Sequence, residues 1–160
     1  MEKRKRGLEV LLWSIALPGF GQLLNQKYIK GFIFLVLEFL INVKANFNVA
    51  ILASFNGDIQ LAFELIDVQW LMFYPGFYFF SIWDAYRDAR GEDTSPFLFL
   101  PFVFAAKFVT VGLMISERIT LFGVMLGPVF FPMLAVLPGL AVGFLLKMIL
   151  THYDKTKRSG

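Results

Sequence analysis

The sequence predicts an all-α, polytopic helical membrane protein with four spanning helices and a broken N-terminal helix that is re-entrant or interfacial. Three observations predict it. Of 160 residues, 58% are hydrophobic, 18% aromatic and 17% charged, against roughly 45–50% apolar and about 25% charged in an average soluble domain. A soluble chain this short could not bury so much apolar side chain, because small domains bury the smallest fraction of their surface. Long apolar stretches recur along the chain, and the cations cluster between them and at both ends. The length suits one domain, 1–160, and the absence of cysteine excludes disulfides and thiolate metal sites. Disorder, a secreted scaffold and a nucleic-acid module fit poorly.

Residues 8–24 form the first apolar segment. It follows four consecutive cations, Lys3 to Arg6, and contains Glu9 and Pro18-Gly19-Phe20-Gly21-Gln22. A signal peptide also opens on a basic region and an apolar stretch, but no small-residue cleavage pattern follows here. Pro and Gly kink or end a helix, so this segment could span, lie in the interface, or enter and return. Spans are expected at 28–46, 68–86, 97–115 and 121–146, near the length of about 20 residues that a bilayer requires. Between the first two, Gly57-Asp58 marks a turn. Gln60, Glu64 and Asp67 then draw one polar stripe on a helix from Ile59 to Gln69. Residues 147–160 are a basic tail.

Lys and Arg near spans favour the cytoplasmic side. With four spans and both termini inside, twelve of the 15 Lys and Arg residues face the cytoplasm, Lys44 and Arg118 lie outside, and Lys107 is buried. A fifth crossing by residues 8–24 strands the basic N-terminus outside, so that segment is placed on the cytoplasmic side. The inner face is then basic enough to attract anionic lipids.

Glu38 and Lys107 each stand eleventh in a 19-residue span running outward, which predicts a midplane ion pair with Asn42 one turn beyond Glu38. An unpaired charge there costs roughly 2.5–3.5 kcal/mol. The pair reads as a fold-specifying bridge, an ion path or a polar ligand pocket. Gly123/Gly127 and Gly139/Gly143 are small-residue spacings that let helices approach closely, within the chain or in a homodimer. Trp83, Asp84, Tyr86 and Arg87 read as an inner-interface anchor with an Asp84–Arg87 pair at i, i+3. Asp84 and Asp88 share a face, but no His or third carboxylate is placed to complete a metal site. His152 is the only histidine. The metal-hydrolase and serine-nucleophile templates are absent, so no enzyme activity, catalytic residue, metal or cofactor is expected.

Leu17 to Gly31 resembles the motif of small TM2-domain-like bacterial membrane proteins, a P-G-x-G-Q pattern followed by K-G. It matches at Pro18, Gly19, Gly21, Gln22, Lys30 and Gly31. Leu24 stands where an aromatic is usual, and Gln26 where the turn has glycine. The resemblance implies a small multipass protein without transferable catalytic residues. The functional expectation is an interaction, accessory or stress-response role in the bacterial cytoplasmic membrane, partnered by lipid, another membrane protein or a second copy. The alternative is a small transporter or channel subunit using Glu38 and Lys107. A lipid-modifying enzyme using Asp84 and Asp88 comes third.

Overall fold

The computed structural model describes residues 2–91 and 95–159, with side chains from 5 to 157. The side chains of Lys3, Arg4 and Arg158, which entered the charge count, lie outside the described residues. The described residues are mainly helical, joined by short turns and one two-residue β-ladder, so the all-α expectation holds. The elements are α1 (Glu2–Ala16), α2 (Phe20–Leu24), α3 (Tyr28–Lys44), α4 (Phe47–Phe55), α5 (Ile59–Leu65), α6 (Val68–Leu71), α7 (Tyr74–Arg90) and α8 (Leu100–Ile115). The ladder of β1 (Thr120–Leu121) and β2 (Val124–Met125) precedes α9 (Gly127–Ser159).

Four spans are not found. Among the described residues one helix, Gly127–Lys157 within α9, is long and apolar enough to cross a membrane. The expected span at 28–46 ends at Lys44, after 17 residues. It reaches spanning length only together with α4, across a 62° bend where Asn46 takes a left-handed φ of 53°. The span expected at 68–86 is split. Asp67 caps the four-residue α6, and α7 restarts with Pro75 in its first turn. The span expected at 97–115 yields 16 residues in α8, about 24 Å of helix. The one expected at 121–146 begins later, because residues 120–125 turn back as a hairpin with Phe122 and Gly123 at positive φ. It also runs on into the basic tail. At 72–73 and 122–123 apolar composition runs across the break; the helix does not.

Residues 8–24 do break where expected. α1 stops at Ala16, Gly19 takes a φ of 102°, and α2 follows. α1 lies antiparallel on α7: Gly7 abuts Arg90 and Tyr86, while the Tyr78 hydroxyl donates to the Ile15 carbonyl at 2.6 Å. α8 and α9 form an antiparallel hairpin. Gly112 approaches Pro132, Gly139 approaches Ala105, and Gly143 approaches Pro101. The buried core is built largely from small residues. One cluster joins Ala45, Ala50, Ala53 and Ala62 to Ile66, Leu71 and Leu113. A second centres on Phe79, Ile82 and Ala105.

Of the four glycines expected at helix packing, Gly139 and Gly143 serve it, inside this chain. Gly123 does not, and Gly127 serves it elsewhere, where α9 starts on α5 rather than on a stripe shared with Gly123. Gly123 sits in the hairpin turn with nothing near it, and Gly127, at φ 74°, begins α9 against Ile59. A spacing of four in sequence makes a helical stripe only where the intervening backbone is helical.

Candidate functional site

The strongest polar cluster lies where the break between α1 and α2 meets the second half of α7. Pro18 and Gln22 are fully buried. Gly19 is held by its neighbours: a Cβ there would stand 2.6 Å from the Gly31 carbonyl oxygen, and a Cβ on Gly31 would stand 2.6 Å from Leu23 Cδ2. A Cβ on Gly21 would collide with Ser14 Oγ and lie 2.7 Å from Ala85 Cβ. Ser14 is fixed there by its own bond to the Val10 carbonyl at 2.8 Å. Gly19 and Gly31 thus bring the break and α2 close against the start of α3, and Gly21 lets α2 rest against α1 and α7.

That approach delivers three polar side chains to α7. Gln22 Nε2 donates to the Ser81 carbonyl at 2.8 Å and to Asp84 Oδ2 at 3.1 Å. Both partners are acceptors, which fixes the amide's orientation and leaves its buried Oε1 without a partner among the described residues. Asn25 Nδ2 donates to the Ala85 carbonyl at 2.8 Å. Lys30 Nζ reaches both Asp84 oxygens at 3.0 and 3.1 Å, and Asp88 Oδ2 at 3.7 Å. Arg87 completes the cluster, 3.6 Å from each carboxylate, with its guanidinium 4.5 Å from the centre of the Trp83 ring. Tyr86 accepts from Arg90 Nη1 at 3.1 Å.

The Asp84–Arg87 pair expected from spacing is therefore present, but the closer cation is Lys30, 54 residues away. The two motifs read separately in the sequence are one structure. The Asp84 side chain is only 4% exposed. A carboxylate so buried is tolerable because two cations and an amide surround it. Two anions face two cations, so the cluster closes on itself and acts as a latch clamping the α2–α3 turn to α7. Among the described residues no group of three or more His, Asp or Glu side chains gathers to hold a metal, and the cations already occupy Asp84 and Asp88. Sequence reasoning missed Ser14, Ser81 and Ala85, which carry no signal of their own. It noted Asp88 only as a companion of Asp84.

The turn that ends the motif contains Gln26 at φ 61°, a left-handed conformation that favours glycine. Glycine is the residue whose place Gln26 takes in the resembled pattern. Gln26→Gly is expected to raise the unfolding free energy by about 0.5–1 kcal/mol, the relieved strain less the extra entropy glycine loses. A higher thermal midpoint checks this.

The expected Glu38–Lys107–Asn42 constellation is not assembled. Glu38 is buried, and its Oε1 accepts from the Tyr74 hydroxyl at 3.1 Å. Tyr74 stacks on Tyr78 with ring centres 5.4 Å apart. Asn42 donates to Asn48 Oδ1 at 3.2 Å. Lys107 is exposed on α8, and among the described residues no ion pair joins it to Glu38. Equal depth says nothing of direction around each helix, and these side chains point to different neighbours. No family model, no curated protein and no solved structure matches this chain.

Proposed function

We propose that this is a membrane-embedded accessory or interaction protein, held in the bilayer by α9. The observation that carries the reading is the surface of α9. Gly127 to Leu146 is 20 residues without a charge, about 30 Å of helix, the thickness of the hydrocarbon. Only 22% of the helix's apolar window is buried in the protein. A core helix of a soluble fold would be mostly covered, whereas Leu137 is 65% exposed, with Met133 and Met148 also outward. Small residues inside and large apolar ones outside is the packing expected where lipid is the solvent.

Charge supports a lipid partner at the ends. Lys5 and Arg6 are exposed beside the α2 turn, and Lys155 and Lys157 on the tail. Cations so placed attract anionic headgroups at roughly 1 kcal/mol each. The accessory role is supported by the latch, whose polar groups are spent on joining helices. A transporter would use Glu38 and Lys107 together, and no contact between them favours that reading.

Alkaline carbonate extraction of membranes from expressing cells tests the proposal. The protein is expected to stay in the pellet and to leave it only with detergent. Release into the carbonate supernatant would overturn it.

A further inference from the structure

Between α7 and α8 the surface opens into a groove of about 800 Å³, within the range of small-molecule sites. Phe79, Phe80 and Trp83 form one wall, and Phe102, Val103 and Val111 the other. One charged side chain lines it, Lys107, the only charge between Phe97 and Ile115. Among the described residues no carboxylate pairs with its ammonium. The Thr110 hydroxyl, also in the groove, is engaged with the Ala106 carbonyl at 2.9 Å.

We infer that this groove binds a long-chain fatty acid, its carboxylate paired with Lys107 and its chain laid between α7 and α8. Charge complementarity selects the head. A lone cation on an otherwise aromatic and aliphatic surface calls for one anion, and a charge-assisted bond there is stronger than in water. The shape selects the tail. From Lys107 to Phe99 the α8 wall runs eight residues, about 12 Å, and its outward side chains are apolar to the end, so it covers the carboxyl-proximal part of such a chain and leaves the rest to the surrounding apolar surface. A trough between two neighbouring helices suits one chain under one monoanionic head. Polar ligands such as nucleotides would find, besides Lys107, only the Thr110 hydroxyl and the Trp83 indole N–H among these walls.

Trp83 lines the groove and supplies the reporter. The other tryptophans, Trp13 and Trp70, are half-exposed and can be replaced by Phe. The Trp13→Phe, Trp70→Phe protein, held in discs of zwitterionic lipid, is titrated with dibromostearate, whose bromines quench indole fluorescence on contact. Saturable quenching is expected. Lys107→Met should raise the half-saturating concentration about tenfold, while Lys107→Arg stays within about twofold of the parent. The methyl ester of the same acid should behave like the acid on Lys107→Met. Because Lys107 is exposed, these variants are expected to keep the parent's circular dichroism and thermal midpoint. Quenching that is non-saturable, or alike for acid and ester, would mean ordinary lipid contact and overturn the proposal. Lys107-dependent quenching by a brominated phosphatidylglycerol as strong as by the acid would assign the groove to phospholipid and overturn it equally. If carbonate releases the protein, the same titration is run on the protein free in buffer, so the two readings fail separately.

Discussion

Lys30→Met is expected to destabilise the protein by about 3 kcal/mol, and more than Asp84→Asn, although both remove the same ion pair. The asymmetry follows from burial. Lys30 is 39% exposed on its side chain and Asp84 only 4%. Removing the lysine leaves a buried carboxylate to Gln22 and to Arg87, whose guanidinium is 3.6 Å away and itself 44% exposed. Uncompensated buried charge typically costs about 3–5 kcal/mol when a partner is deleted, and Arg87 holds this case to about the lower end. Removing the charge instead leaves a neutral amide on α7, whose carbonyl can still accept from Gln22, and frees Lys30 to turn towards Asp88 and solvent. That loss should be about 1–2 kcal/mol. The double variant Lys30→Met, Asp84→Asn should therefore be more stable than Lys30→Met alone, with a coupling of about 1 kcal/mol or more. Thermal unfolding in detergent, followed by circular dichroism, measures all three. If Lys30→Met falls within about 0.5 kcal/mol of the parent, the range of an ordinary surface substitution, Asp84 does not depend on Lys30 and the latch is not a latch.

How much of this was legible in the sequence depends on the range of the interaction. Local signals were readable. Pro18-Gly19 breaks the N-terminal helix, and Gln60 and Glu64 face each other at 3.2 Å on α5. Asp67 shows the limit of periodicity. Its spacing makes it the third member of that polar stripe, yet it caps α6 by accepting from Trp70 N at 3.1 Å, and its own N–H is bound to the Ala45 carbonyl at 2.9 Å. A polar residue at helical spacing is also a preferred N-cap, and spacing alone cannot separate the two. Hydropathy failed for the same reason at the spans. It sums side chains and does not register where a cap, a proline or a left-handed residue stops the hydrogen-bond ladder. The site was half legible. Each motif stood out by its own residues, but Gln22 and Asp84 are 62 positions apart, and nothing within either motif identifies the other. Depth matches Glu38 to Lys107, but depth fixes height and leaves rotation about each helix free.

A large loss from a single added side chain is expected at Gly143. A Cβ there would stand 2.5 Å from Pro101 Cα and 2.8 Å from the Leu100 carbonyl oxygen. Both are backbone atoms, so no rotamer change makes room. α9 must move away from α8. One turn earlier, Gly139 is gripped in the same way, with a Cβ 2.8 Å from Ala105 Cα and 2.9 Å from the Phe104 carbonyl oxygen. Overpacking of this kind costs about 1–3 kcal/mol; Gly143→Leu should reach or exceed the upper figure, and Gly143→Ala the lower. Because either substitution separates the same pair of helices, Gly139→Ala with Gly143→Ala should cost less than the two singles added together. Gly76→Ala is the control. It lies inside α7 with nothing within 4 Å of a new Cβ, and should stabilise by up to about 1 kcal/mol through helix propensity alone. The same series decides what the glycines of α9 are for. If Gly143→Ala is neutral in the isolated protein yet dissociates a dimer on a sizing column, the stripe joins two copies. If it destabilises one chain and leaves its oligomeric state unchanged, the close contact with α8 is the reason α9 can turn its larger side chains outward.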